Sequence, residues 1–175
     1  MRQLIISFLF LFGVSGYSQD FFLYKDSVYK FKIGIPEGWR YGKPKSYPEV
    51  LFISIRQTSD TTEKVVESFN VTFVQEPNSS LDTVFSRLLK YNSMADNFSV
   101  IEKGSINING QGFKWVISTH TNKYNTQQQM YNYDFITYDG VKAYILTMAS
   151  TPRNFERYRE LFEKIAQTFQ VKVLD

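Results

Sequence analysis

The sequence predicts an α+β fold in which a mostly antiparallel β-sheet of about six to seven strands is sandwiched by helices. Asn-Gly and Asp-Gly turns separate runs of alternating apolar and polar residues, a pattern typical of β-hairpins. Two other segments repeat apolar residues at helical spacing. The resulting order is β-β-β-α-β-β-β-β-α. Hairpins dominate this order, which favours an antiparallel sheet with helices packed on its faces.

The first three predicted strands lie before residue 76. Val28–Ile35 alternates apolar and polar residues as a half-buried strand does, and the Pro-Glu-Gly sequence at 36–38 ends it. This turn is expected to fold Trp39 back under the edge of the sheet. Val50–Arg56 and Ser68–Gln75 follow, joined as a hairpin by a polar loop.

Four more strands are predicted to form two hairpins. Both turns are of the kind that accepts positive φ angles in a tight two-residue loop. The first hairpin joins Phe98–Ile108 to Gly112–Thr121 at Asn109-Gly110, and the second joins Gln128–Tyr138 to Val141–Ser150 at Asp139-Gly140.

Two segments are predicted to be helices, each with one apolar face to bury. Ser79 or Ser80 caps the first, and the second begins at Thr151 with Pro152 in its first turn, a favoured place for proline. The apolar stripe of the first contains Leu81, Val84, Phe85, Leu88 and Leu89. That of the second contains Phe155, Tyr158, Leu161, Phe162, Ile165, Ala166 and Phe169.

Two features resemble the PsbP-like fold family. One is a strand that ends in a Pro-x-Gly-Trp turn, at Ile35, Pro36, Gly38 and Trp39. The other is a hairpin that leads into a helix, with matching positions at Tyr144, Leu146, Thr147, Ser150, Pro152, Phe155, Tyr158, Phe162, Lys164, Ile165 and Phe169. The resemblance covers residues 19–175 in element order. It implies an exported bacterial member of the superfamily that includes PsbP and the Mog proteins. Because known members are mostly non-enzymatic binding or assembly factors, it also implies a binding role, by analogy of fold.

Residues 1–18 are expected to be a secretory signal peptide, which leaves 19–175 as a single PsbP-like domain. An arginine precedes the apolar run Leu4–Val14, and Gly16 and Ser18 supply the small residues of a cleavage site. The run is shorter than the ~20 apolar residues that span a bilayer, so no membrane span is expected after cleavage. We therefore expect a periplasmic or secreted protein.

The composition argues against several classes of function. A formal net charge of +3 is too small to indicate a nucleic-acid partner or an anionic membrane surface. The chain has no cysteine, which removes disulfides, thiol chemistry and zinc–thiolate sites. His120 is the only histidine and has no carboxylate near it in the sequence, so it is expected to be a half-exposed strand residue. We expect no cofactor, no metal and no catalytic residue.

Carboxylates leave one catalytic alternative open. Asp134 and Glu102 lie on predicted strands, whereas Glu76 and Asp82 lie near a helix start, where the charge of Asp82 is favourable. Two carboxylates could act as acid and base in a hydrolase of envelope polymers, but no spacing in the sequence supports such a pair.

Aromatic residues crowd the segment Tyr124–Tyr138. Alternation puts Tyr131 and Tyr133 on one face of a strand and Asn132 and Asp134 on the other. The aromatic face could pack beneath a helix, or it could be an exposed surface that recognises a protein, a glycan or a lipid. We favour a non-catalytic binding or assembly-accessory protein over the hydrolase. Its possible recognition face would comprise Trp115, Tyr124, Tyr131, Tyr133, Asn125 and Gln127.

Export predicts cleavage between Ser18 and Gln19. N-terminal sequencing of the protein purified from its native host should begin at Gln19. A Ser18→Leu variant should be cleaved poorly, because signal peptidase sites require small residues at this position. A mature product that still carries Arg2 would contradict the prediction.

Overall fold

The computed structural model describes residues 20–122 and 128–172. It confirms the predicted α+β architecture, with ten strands and two helices in the described residues. The strands are β1 (Phe21–Asp26), β2 (Phe31–Pro36), β3 (Trp39–Gly42), β4 (Val50–Arg56), β5 (Ser68–Gln75), β6 (Ser99–Ile108), β7 (Gln111–Thr121), β8 (Gln129–Tyr138), β9 (Lys142–Ser150) and β10 (Gln170–Val171). The helices are α1 (Leu81–Asn92) and α2 (Pro152–Thr168).

The strands form two sheets. The large sheet has seven strands in the order β3-β4-β5-β9-β8-β7-β6, and every neighbouring pair is antiparallel. The small sheet has the order β1-β2-β10. Both predicted tight hairpins are confirmed. Asn109 and Gly110 have φ angles of 53° and 81° at the first turn, and Gly140 has a φ angle of 100° at the second, which are the left-handed conformations these residues tolerate best.

One face of the large sheet carries the main hydrophobic core beneath α2 and the small sheet. Phe155, Phe162 and Ile165 of α2 are at most 1% exposed. The ring of Phe169, directly after α2, lies 6.2 Å from Phe31 of β2 and 6.0 Å from Phe113 of β7. These contacts join helix, small sheet and large sheet into one apolar layer.

A buried glutamate fixes the start of α2 on the sheet. Glu67, just before β5, is 0% exposed. Its carboxylate accepts hydrogen bonds from Arg56 Nε at 2.5 Å, Asn154 Nδ2 at 2.9 Å and Ser150 Oγ at 3.1 Å. These donors come from β4, α2 and β9. Because a buried charge is tolerated only when it is paired, the network holds the three elements in one arrangement.

Three short strands, β1, β3 and β10, were not predicted, and the first predicted strand begins three residues later than expected. Asp26 explains the late start. Its Oδ1 accepts hydrogen bonds from the backbone N–H groups of Val28 and Tyr29, at 2.9 and 2.8 Å. This turn occupies the start of the predicted strand, and Lys30 follows with a φ angle of 56°. Trp39 is buried as predicted, but it begins an edge strand.

The other face of the large sheet carries α1. This helix follows β5 in the middle of the sheet and leads to β6 at its edge, and it packs on β7 and β8. Its 12 residues span about 18 Å, whereas seven strands span about 29 Å. The helix therefore leaves β4, β5 and the part of β9 around Thr147 open on this face. Val84 and Phe85 of α1 form a buried cluster with the sheet residues beneath them, Val116, Ile136, Ala143 and Ile145.

Phe162 tests the docking of α2. Phe162→Ala should lower the free energy of unfolding by about 3–5 kcal/mol, because it removes a fully buried ring and leaves a cavity. Phe22→Ala is the matched control: that ring is 56% exposed on β1, so its loss should cost less than about 1 kcal/mol. Urea denaturation measures both. Equal effects would show that α2 does not form the core described here.

Candidate functional site

The aromatic residues of β7 and β8 lie on the face of the sheet that α2 covers. Tyr133 is 4% exposed, with its ring 4.5 Å from Phe135 and 6.3 Å from Phe155 of α2. Of the two alternatives left open for this face, the position of Tyr133 agrees with packing beneath a helix, because α2 packs directly over it. Half-buried Tyr131 also contacts this helix, with its ring 4.9 Å from that of Phe155.

Trp115 is half-buried against the same layer. Its indole meets the ring of Tyr133 edge-on at 5.8 Å and lies directly over Gly104 of β6, where a Cβ atom would come within 2.6 Å of the indole. Packing thus accounts for this side chain. The other residues of the predicted recognition face, Tyr124, Asn125 and Gln127, lie outside the described residues. The recognition face as a whole stays a prediction.

The opposite face of the large sheet contains a cavity beside α1, of about 530 Å³. We call it the Asp134 groove. Its floor consists of side chains from the central strands: Asn70, Thr72, Asn132, Asp134 and Thr147. Its wall is formed by Val84, Leu88 and Tyr91 of α1, and its rim carries Glu49, Glu76 and Arg87.

Strand register brings the floor together. Asp134 on β8 pairs with Thr147 on β9, and Thr147 pairs with Asn70 on β5. Side chains of directly paired residues lie on the same face of a sheet. One row of polar groups therefore crosses three neighbouring strands. The next pair on the same face, Ile136 of β8 and Ile145 of β9, is apolar and is covered by α1. The polar floor therefore begins where the contact with α1 ends.

Asp134 is the unusual group in the groove. Its side chain is 2% exposed. Oδ1 accepts a hydrogen bond of 2.5 Å from Thr147 Oγ1, whereas Oδ2 is buried and has no hydrogen-bond partner among the described residues. Burial raises the pKa of Asp134 from its ordinary value of 3.8 to about 6, against the lowering effect of the Thr147 hydrogen bond. A buried acceptor without a donor is rare and costly in a folded protein.

The charges around the groove are mainly acidic. Arg87 on α1 forms an ion pair with Glu76, and Glu49 lies on the exposed rim. No lysine is among the described residues that line the cavity. The groove thus combines an apolar wall, neutral hydrogen-bonding groups and one buried carboxylate.

His120 lies on β7 next to a smaller cavity of about 330 Å³, which shares Tyr91 and Asn92 with the Asp134 groove. The side chain is half-buried, as predicted. Burial lowers the pKa of His120 from its ordinary value of 6.5, which favours the neutral ring. In the described part of the chain no three His, Cys, Asp or Glu side chains cluster in a way that could hold a metal ion.

A larger cavity, of about 730 Å³, lies at the start of α2 and is lined by Arg56, Arg153 and Arg157 among others. The buried acid beside it is Glu67, which has three donors. The attachment of α2 therefore accounts for Arg56 and Asn154, which line this cavity and bind Glu67. We regard the smaller Asp134 groove as the candidate site, because Oδ2 of Asp134 at its centre has no hydrogen-bond partner among the described residues.

Sequence reasoning identified Asp134 as a carboxylate on the polar side of β8, but not as the centre of a cavity. Alternation along β8 was the available signal. The cavity itself depends on β5 lying beside β9 and on the position of α1, and neither is encoded in a local pattern.

The family model described as PsbP matches residues 19–171 of this chain. A search of curated proteins finds no significant match. Among solved structures, cyanobacterial PsbP (CyanoP) from Synechocystis sp. PCC 6803 aligns with a TM-score of 0.64 and 17% identity, over 91% of this chain and 96% of that chain.

Two other solved structures share the fold. LpqN of Mycobacterium tuberculosis, described as involved in cell envelope biogenesis, aligns with a TM-score of 0.65 and 8% identity, over 88% of this chain and 91% of its own. The Saccharomyces cerevisiae Ran-binding protein Mog1p aligns with a TM-score of 0.58 and 11% identity, over 88% and 96%. At these identities the likeness shows the fold alone.

The buried carboxylate predicts an unusual dependence of stability on pH. With a folded pKa near 6 and an ordinary value of 3.8, the folded state holds a proton that the unfolded chain releases between these values. The free energy of unfolding should therefore fall as the pH rises through this window. At pH 7.5 the ionised carboxylate costs on the order of 3 kcal/mol, at about 1.4 kcal/mol per pKa unit.

Asp134→Asn should remove much of this cost. We expect the variant to raise the free energy of unfolding by about 1–3 kcal/mol at pH 7.5, with the gain vanishing near pH 3.5, where the native carboxyl is protonated in both states. Asp82→Asn, an exposed site on α1, is the control and should show no such pH profile. Urea denaturation at both pH values measures the effect. A loss of stability at pH 7.5 would contradict the prediction.

Proposed function

The chain belongs to the PsbP family, and from this premise we propose that it is an exported, non-catalytic binding protein whose ligand site is the Asp134 groove. The fold supports a binding role in general but does not indicate a particular ligand, because a fold alone does not determine chemistry. The site has to be argued from side chains, and the groove is the place where side chains point to a ligand.

The size and lining of the groove suit a small molecule. Its volume of about 530 Å³ lies within the range of roughly 300–1,000 Å³ of small-molecule sites. Such sites combine an apolar lining with a few polar groups that fix orientation. Here α1 supplies the apolar wall through Val84, Leu88 and Tyr91, and the sheet supplies amide, hydroxyl and carboxylate groups.

One observation carries the proposal: Oδ2 of Asp134 is buried without a hydrogen-bond donor. The fold gains nothing from this group, since an uncharged side chain of the same size would avoid the desolvation cost. Groups that destabilise a fold are concentrated at functional sites. A bound ligand that donates a hydrogen bond would remove the deficit, which makes the groove a binding site.

A hydrolase is the second candidate, because a carboxyl with a pKa near 6 suits a general acid. Acid–base hydrolysis needs a second carboxylate close by. The pKa of Asp134 is raised by burial, and no neighbouring carboxylate contributes to it. The other three carboxylates considered above each form an ion pair: Glu102 with Arg159, Glu76 with Arg87 and Asp82 with Lys114. Binding is the better supported function.

Export places the proposed role in the periplasm or outside the cell. It is supported by the signal-peptide pattern of residues 1–18, and the fold neighbour LpqN is described as a protein of cell envelope biogenesis. Among the described residues no helix is both long and apolar enough to cross a membrane.

A variant that fills the groove tests the binding function. Asn70→Trp places a large ring on the floor, whereas Gln75→Trp adds the same ring at the exposed end of the same strand, outside the groove. Both proteins and the native chain would be purified from native envelope and studied by native mass spectrometry. We expect a small-molecule adduct on the native chain and on Gln75→Trp that Asn70→Trp lacks.

Circular dichroism would first establish that both tryptophan variants are folded. Equal adducts on Asn70→Trp and Gln75→Trp would place the ligand elsewhere. No adduct on the native chain, even after incubation with envelope extract, would contradict the binding function of the groove.

A further inference from the structure

We propose that the ligand of the Asp134 groove is a small amphipathic amine, whose ammonium group binds the carboxylate of Asp134 and whose apolar body lies against α1. This inference rests on the proposed function and adds the chemical class of the ligand. It is carried by the charge of the cavity, the donors and acceptors on its floor and the apolar wall beside them.

The charges of the cavity favour a cation. Of the described residues that line it, three are acidic, Asp134, Glu49 and Glu76, and one is basic, Arg87, which is paired with Glu76. An anionic ligand would meet an uncompensated buried carboxylate, and like charges at short distance in a partly desolvated site repel strongly. A cation instead gains a partner at Asp134 and neutralises the charge that burial disfavours.

The floor offers acceptors in the number that an ammonium group requires. An ammonium group carries three N–H donors and no acceptor. One can bind Asp134, and the side-chain oxygens of Asn70 and Asn132, which also line the cavity, can accept the other two. Because Oδ2 is buried, the carboxyl has to turn about its Cβ–Cγ bond to present an oxygen to the ligand. The terminal torsion of an aspartate is broad, so this rotation is accessible.

The wall of the groove explains why the amine should carry an apolar body. Val84 is buried and Leu88 half-buried on α1, and Tyr91 presents an aromatic ring that is 70% exposed. Ile145 of β9 continues the apolar surface below them. A bare ammonium ion would leave this surface in water, whereas an aryl or alkyl chain would cover it.

Three matched probes test the proposal: 2-phenylethylamine, 2-phenylethanol and 3-phenylpropionate. They share an aromatic ring and differ in whether the head group is a cation, a neutral donor or an anion. Binding would be followed by NMR chemical-shift changes of groove residues and by calorimetry at pH 7.5. We expect the amine to bind at least ten times more tightly than the alcohol and the carboxylate to bind not at all.

Two variants assign the effect to the carboxylate. Asp134→Asn should weaken amine binding at least tenfold and leave the weak binding of the alcohol unchanged. Asp82→Asn removes an acidic group on α1 that lies outside the groove, and it should bind the amine as the native chain does. Asp134→Asn is expected to remain folded, which its thermal melt would establish.

Amine affinity should also fall between pH 7.5 and pH 5, as Asp134 becomes protonated. The other titratable or charged groups that face it are Arg87 and Tyr91 from α1, Glu76 after β5, Glu49 before β4 and His120 in the adjoining cavity of β7. Because protonation of His120 would also weaken amine binding, the pH profile has to be lost in Asp134→Asn to support the proposal.

The outcomes separate the two proposals. If the alcohol binds as tightly as the amine, or if Asp134→Asn retains amine binding, the amine proposal is wrong while the groove remains a ligand site. If none of the probes shifts groove residues, the amine proposal is also wrong. The adducts on Asn70→Trp and Gln75→Trp then decide the binding function independently.

Discussion

The position of α1 is the constraint on which the rest of the molecule depends. The chain leaves β5, the third strand of the large sheet, and must reach β6, the seventh, at the far edge. The crossing takes place on one face, and the only helix in it has 12 residues. Such a helix covers only part of the face, and here it packs on β7, on β8 and on Ala143 and Ile145 of β9. The open floor over β5 and β9 follows from this topology.

The two faces of the sheet consequently have different roles in stability. The α2 face is covered by a helix and by the small sheet, and its aromatic side chains form the main core. Because the chain has no cysteine, this core must provide most of the stability. The α1 face is only partly covered, so it can hold polar groups in a half-buried setting. A carboxylate there is desolvated by the neighbouring helix without being paired by it.

The sequence predicted what depends on local patterns. Both tight hairpins, both helices and the burial of Trp39 follow from turn residues, caps and periodicity, and the structure confirms them. The strand β3 has only four residues, too few for a period of two to be distinguished from chance. The sequence left the burial of Tyr133 open, because alternation identifies which residues share a face but not which face a distant helix covers. The groove was missed for the same reason, since β5 and β9 are paired across more than 60 residues.

Strand β8 shows how one segment serves both faces. Its odd-numbered positions, Tyr131, Tyr133 and Phe135, pack toward α2, and its even-numbered positions, Asn132 and Asp134, line the groove. The aromatic residues fix the strand so firmly that Asp134 cannot leave its buried position by a shift of the backbone, because a one-residue slip would exchange the two faces. The rigid core thus holds a costly carboxylate at the groove. The aromatic side chains of this strand therefore hold Asp134 in place, and preorganisation of this kind lowers the entropy lost when a ligand binds.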